Sequence, residues 1–149
     1  MDVREARSDD IHILAGMAQD LPPGFPSAES LLRIRQRLDV LMPVALVDAE
    51  VAGFGLASLV TEDKRRLGIV RYLLAFVDGG PVANAIRLTL LSRLERQFAA
   101  LETDEVQLSA DHPPTFIDQL GKLGYRLDTS VRGTLVCAEG RRRFVKSLT

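Results

Sequence analysis

Asp111 and His112 stand side by side at the end of a run reading EVQLSAD, just ahead of two prolines. An imidazole at the end of a strand, beside a carboxylate, can take or give a proton near neutral pH. The plainer reading of DHPP is a solvent turn in which His112 caps the next helix. A second place for chemistry is FVDGGPVANAIRLTLLSRLERQFAAL, Phe76 to Leu101. It reads as a strand end, a turn-rich loop and a long amphipathic helix. A loop entering a helix N-terminus is a natural anion cradle, because free backbone N–H groups and the helix dipole favour negative charge there. The glycines of this loop come early, at Gly79 and Gly80. The stretch before the helix core is Val82, Ala83, Asn84 and Ala85.

Other residues have weaker claims. Glu62 and Asp63 could reach an amine, although TEDKRR reads first as a charged turn. Tyr72 lies inside an apolar run, where core packing is the plainer role. Asp78 would repel a phosphate and reads as a turn former. Cys137 has no histidine in its segment and reads as a small hydrophobe. His12 falls on a helix surface. There is no Walker loop, no H-E-x-x-H, no G-x-S-x-G and no Cys/His metal set. GFGLAS matches G-x-G-x-x-S, but it sits within a strand and opens no helix, so a dinucleotide reading fails.

The composition is that of a globular chain. The 149 residues suffice for one domain with a real core. Hydrophobic residues make up 46% and charged residues 26%. A formal net charge of -1 gives no electrostatic case for nucleic acid. One cysteine excludes an internal disulfide and suits a reducing compartment. The start, MDVREARSDD, is no signal peptide, and no apolar run reaches the ~20 residues of a bilayer span. A cytoplasmic protein away from membranes is expected.

The elements that must position these residues follow from patterning. DVREAR is a first strand. Ser8 reads as an N-cap, with Leu14, Met17 and Leu21 at helical spacing. LPPGFP breaks that helix, and Ser27 caps a second. PVALVDAEVAGFGLASLV has the pattern of a hairpin around DAE. LGIVRYLLAFV is too uniformly apolar for a surface strand and belongs at a sheet centre. Ile86, Leu90, Leu94 and Phe98, spaced by four, form the buried stripe of the long helix, which starts at about Val82. EVQLSA is a strand, and PPTFIDQLGKLG a short helix ending near Gly124. YRLDTS and RGTLVCAE read as a last strand pair. Residues 138–149 form a basic tail, expected to fray. The whole chain, 1–149, is expected to be one domain.

This order, with four local strings, resembles the GCN5-related N-acetyltransferase (GNAT) family over nearly the whole chain. VREARSDDIHILAGMA is similar to the family's opening strand and helix. ALVDAEVAGFGLASL is similar to its second and third strands, with VAGF at Val51–Phe54 in the place of its "vGf". LLAFV followed by a long helix containing a leucine pair resembles its acyl-CoA strand and loop. FIDQLGKLGYRL resembles its late "fYeklGF" signature, with Leu123, Gly124 and Tyr125 in the last three places.

The resemblance implies an α/β (α+β) fold: a central mixed, mostly antiparallel twisted sheet of about six to seven strands, flanked by about four helices. It implies acetyl-CoA as cosubstrate, a primary amine of a small molecule or peptide as acceptor, and direct attack of that amine on the thioester. A family-fold protein that has lost catalysis and serves as a binding or regulatory module is the alternative. A homodimer is compatible with either. Laid without a gap on the family pyrophosphate loop, Val82 takes the basic place. Ala83 and Ala85 take the first two glycines, with Asn84 between them. Ile86 keeps the isoleucine, Arg87 takes the third glycine, and Leu90–Leu91 keep the leucine pair. Arg87 would then either block the phosphates or pair with one. The oxyanion donor would be a main-chain N–H around Phe76 and Val77. The family's tyrosine acid falls at Leu120 and its asparagine near Pro113, which leaves a gap that Asp111 and His112, near where the family's strands splay, could fill.

Overall fold

The computed structural model describes residues 1–17, 20–128 and 143–148. Four helices and eight strands alternate along it: β1 (Asp2–Glu5), α1 (Ser8–Ala15), α2 (Ala28–Ile34), β2 (Val40–Leu41), β3 (Pro43–Val47), β4 (Glu50–Glu62), β5 (Arg65–Ala75), α3 (Gly80–Ala100), β6 (Glu105–Ser109), α4 (Pro114–Lys122), β7 (Arg126–Asp128) and β8 (Arg143–Ser147). The strands form one sheet in the order β1-β3-β4-β5-β6-β8-β7, with β2 beside β4. Every pairing is antiparallel except β5 with β6.

The apolar run LGIVRYLLAFV becomes β5 and lies in the middle of the sheet, as its two-sided hydrophobicity requires. Two tight turns set the registers around it. Asp48 and Ala49 have φ of 51° and 66°, and Asp63 and Lys64 have 51° and 65°. Two consecutive left-handed residues make the hairpin turn whose twist matches that of paired strands.

Each face of the sheet carries its own core. On one, α3 lays Ile86, Leu90, Leu94 and Phe98 over Ala45, Ala57, Val70 and Leu73, joined by Phe116 and Leu120 of α4. On the other, Ile11 and Leu14 of α1 and Leu31 of α2 pack on Val44, Val51, Phe54 and Leu56. Gly68 lets α3 approach closely: a Cβ there would meet the Phe98 ring at 2.7–2.8 Å. Among the described residues no helix is long and apolar enough to cross a membrane.

Three expectations are corrected. Arg143–Ser147 of the basic tail is a strand, pairing with both β6 and β7. Phe144 and Val145 are buried there, and Lys146 reaches Glu95 of α3 at 3.1 Å. Apolar burial thus overrides the fraying expected of a terminus. Arg7 rather than Ser8 is the N-cap of α1, and the Asp10 carboxylate accepts its N–H at 2.7 Å. The long helix begins at Gly80, two residues before Val82. The segment RGTLVCAE, with Cys137, lies outside the described residues.

Candidate functional site

A bulge opens the centre of the sheet. Leu56 of β4 faces Tyr72 on β5, and the next residue, Ala57, faces Val70, so Arg71 is an extra residue on β5. An extra residue bends its strand and re-aims it. Beyond this point β5 keeps β4 as a neighbour to Ala75, but it has left β6: their parallel pairing covers only Leu67–Val70 against Glu105–Leu108. The two strands part around a cavity of about 240 Å³. Val70–Leu74 line it on one side, Ser109, Asp111 and His112 on the other, and Arg87 reaches it from α3.

The free edge of β5 carries backbone donors. Phe76 gives its N–H to the carbonyl of Ala52 on β4 at 2.8 Å. Backbone groups alternate along a strand, so Ala75 and Leu73 turn their N–H groups to the opposite edge, where β6 no longer runs. Phe76, expected to offer its N–H to the site, spends it inside the sheet. Val77 packs against the α3 core.

The residues laid on the phosphate loop are placed differently from that expectation. Because α3 begins at Gly80, Ala83 already donates to Gly79 O at 3.0 Å. Asn84, Ala85, Ile86 and Arg87 lie further along the helix, where each N–H has a carbonyl one turn back. Ile86 is fully buried. The donors left at the helix start are those of Gly79, Gly80 and Val82, since Pro81 has none. Gly79 holds φ +99°, and a Cβ on Gly79 or Gly80 would meet nothing within 4 Å. Val82 is 54% exposed beside them.

Asn84 and Arg87 have a role of their own. The buried Asn84 amide donates to Thr115 Oγ1 at 2.9 Å, and its oxygen accepts from Arg87 Nη1 at 3.0 Å. This ties α3 to the start of α4 and holds the guanidinium 5.9 Å from the centre of the Phe116 ring. Arg87 lies in the wall of the cleft, partly desolvated, which draws its pKa below the ordinary guanidinium value.

His112 packs edge-on to Phe116, with ring centres 5.1 Å apart. Burial, then the positive charge of Arg87, lowers its pKa to about 4, with Asp111 opposing. The imidazole is therefore neutral at pH 7. Asp111 is exposed at the cleft wall, its N–H on Ser109 Oγ at 3.1 Å.

Leu120, at the family's acid position, is fully buried and has no proton to give. Nearby Tyr125 donates to Glu95 at 2.6 Å, and burial and that carboxylate push its phenol far above the ordinary range. It braces α3 rather than serving a reaction. Arg71 was the residue that patterning passed over, and Tyr72 was read first as a core residue. Tyr72 is half-buried, packs edge-on to Phe25 at 4.9 Å and lines the cleft. An Arg within an otherwise apolar central strand was the available signal for the bulge. No cluster of His, Cys, Asp or Glu among the described residues could hold a metal.

No protein-family model matches the chain, and no curated protein matches it. Solved structures do. An acetyltransferase of the GNAT family from Staphylococcus aureus Mu50 superposes with a TM-score of 0.71 at 14% identity, covering 99% of both chains. PaiA N-acetyltransferase from Thermoplasma acidophilum, in complex with coenzyme A, gives 0.66 at 14% identity over 98% of each. Aminoglycoside 6'-acetyltransferase type Ii gives 0.62 at 18% identity, over 100% of this chain and 98% of the other. The fold of the chain is that of the GNAT acetyltransferases.

Proposed function

We propose that this chain is an acyl-CoA-dependent N-acetyltransferase, moving an acetyl group to a primary amine of a small molecule or peptide. The observation that carries the reading is the freed edge of β5 beyond Val70, on which the N–H groups of Leu73, in the cleft wall, and Ala75, beyond it, both lie. Main-chain donors on a rigid strand suit an oxyanion, because they need no reorganisation as charge develops. The cleft, at about 240 Å³, is smaller than the ~300–1,000 Å³ of whole-ligand pockets. It suits the acylated arm of acetyl-CoA, with the nucleotide outside and its phosphates toward Gly79, Gly80 and Val82.

In this reaction the amine nitrogen attacks the thioester carbonyl, a C–N bond forms, and the C–S bond breaks. The ammonium must lose a proton first, and the departing thiolate gains one. Asp111 and His112 are the groups on the β6 side to which we assign that proton. Tyr72, on the β5 side, is the hydroxyl that can donate to the thiolate. Calorimetric titration with acetyl-CoA, followed by thiol release in the presence of amines, tests the reading. Micromolar binding with amine-dependent release supports it.

The buried Leu120 favours a second reading, a family-fold protein that binds without catalysis. Tight acetyl-CoA binding with no release for any amine would select it.

A further inference from the structure

Arg87 brings to the cleft a charge that the proton transfers do not use. It lies two turns into α3, about 10 Å beyond Gly80 along the helix axis. Its partners among the described residues are the Asn84 oxygen, at 3.0 Å, and the Phe116 ring. Both are neutral, and no carboxylate among the described residues offsets its burial. A half-buried cation fixed between neutral partners acts strongly on any anion that forms beside it. The other charged or titratable groups of the wall are Arg71, Tyr72, Asp111 and His112. Arg71 bonds Ser58 of β4, and the Asp111 carboxylate acts on His112. His112 is neutral at pH 7 and does not compete for an anion.

We infer that Arg87 is a catalytic residue whose fixed charge stabilises the coenzyme A sulfur as it departs as a thiolate. The inference rests on the acyl-transfer reading. With the phosphates at the start of α3, the arm running from them into the cleft carries amides and a hydroxyl but no ionic group, and the thioester is neutral. Two negative charges then form in turn. The first, on the carbonyl oxygen, faces the N–H groups of the β5 edge. The second forms when the C–S bond breaks and its electron pair passes to sulfur. Arg87, reaching in from α3 rather than from that edge, meets the second. The proton lost by the amine balances the one that the thiol finally carries. Because this charge is absent from the bound thioester, holding it lowers the barrier rather than KM. A fixed cation also supplies what the buried Leu120, with no proton to give, does not.

The test uses the intact chain with coenzyme A and with desulfo-coenzyme A, which lacks the sulfur. Ultraviolet absorbance of the thiolate follows the titration of the bound thiol, and calorimetry gives the affinity of each ligand. Wild type should hold the bound thiol about one pH unit or more below free coenzyme A. Arg87→Gln should return it to the free value, with desulfo-coenzyme A affinity changed less than about twofold. Arg87→Lys, which keeps the charge, should retain at least about half of the effect. A wild-type bound thiol that titrates with the free one overturns the inference, and that measurement needs no variant. So does an Arg87→Gln chain that loses affinity equally for both ligands, the result of a guanidinium on phosphate. If neither ligand binds, the acyl-transfer reading itself falls.

Discussion

Val70 of β5 stands opposite Leu108 of β6, and among the described residues it is the last of β5 with a strand neighbour on that side. The next residue, Arg71, is the bulge. A central strand that loses one neighbour while keeping the other exposes backbone N–H groups inside a folded sheet, a place where they are normally paired. The proposed chemistry begins from that exposure.

Ser109 lines the opening where β6 ends and is only half-buried. Ser109→Trp should fill the cleft and weaken coenzyme A binding at least tenfold in calorimetry, with an unchanged circular dichroism spectrum.

Val82 supplies no charge at the start of α3, where a phosphate would profit from one. A charge-assisted hydrogen bond contributes about 1.5–3 kcal/mol. Val82→Arg, at an exposed position, should therefore tighten coenzyme A binding about ten- to a hundredfold. Arg87→Ala should loosen it, because Arg87 is a cation held in the cleft wall on the α3 side.

The pKa of His112 falls from 6.5 to about 4 on folding. Between these values the unfolded chain binds more protons than the folded one, so His112 costs stability as pH drops from 6.5 toward 4. Urea titrations at pH 7 and pH 5 should give a smaller loss for His112→Gln than for wild type. If His112 takes the amine's proton, His112→Ala should also lower turnover roughly 100-fold, with acetyl-CoA affinity near wild type.

Two substitutions test the packing. Gly68→Ala would drive a methyl into the Phe98 ring and should cost about 1–3 kcal/mol in urea unfolding. Asn84→Ala removes a buried amide that bridges Thr115 and Arg87, and should cost a similar amount, about 1–3 kcal/mol.

Much of this fold could be read from local pattern. The apolar continuity of Leu67–Val77 marked the central strand, and the fourfold spacing from Ile86 to Phe98 marked the face of α3. The hairpin around Asp48 and the turn at Asp63 followed from polar residues between apolar runs. What escaped depends on tertiary context. Three arginines concealed that Phe144 and Val145 could seat a strand between β6 and β7. The start of α3 moved because Gly80 and Pro81 are tolerated in a first helical turn. The site was legible only in part. Asp111, His112 and Arg87 do converge on the cleft, but which N–H groups face it depends on the direction in which Phe76 is bonded.

The central claim is that the freed edge of β5 and the start of α3 together hold the acyl-CoA. Mapping coenzyme A onto the backbone amides by NMR tests it most directly. The account predicts saturable shifts at Leu73, Ala75, Gly80, Val82 and Ser109, with the hairpin turn at Asp48 and Ala49 unmoved. Binding that leaves Leu73 and Ala75 unshifted, or no binding at millimolar coenzyme A, would contradict it.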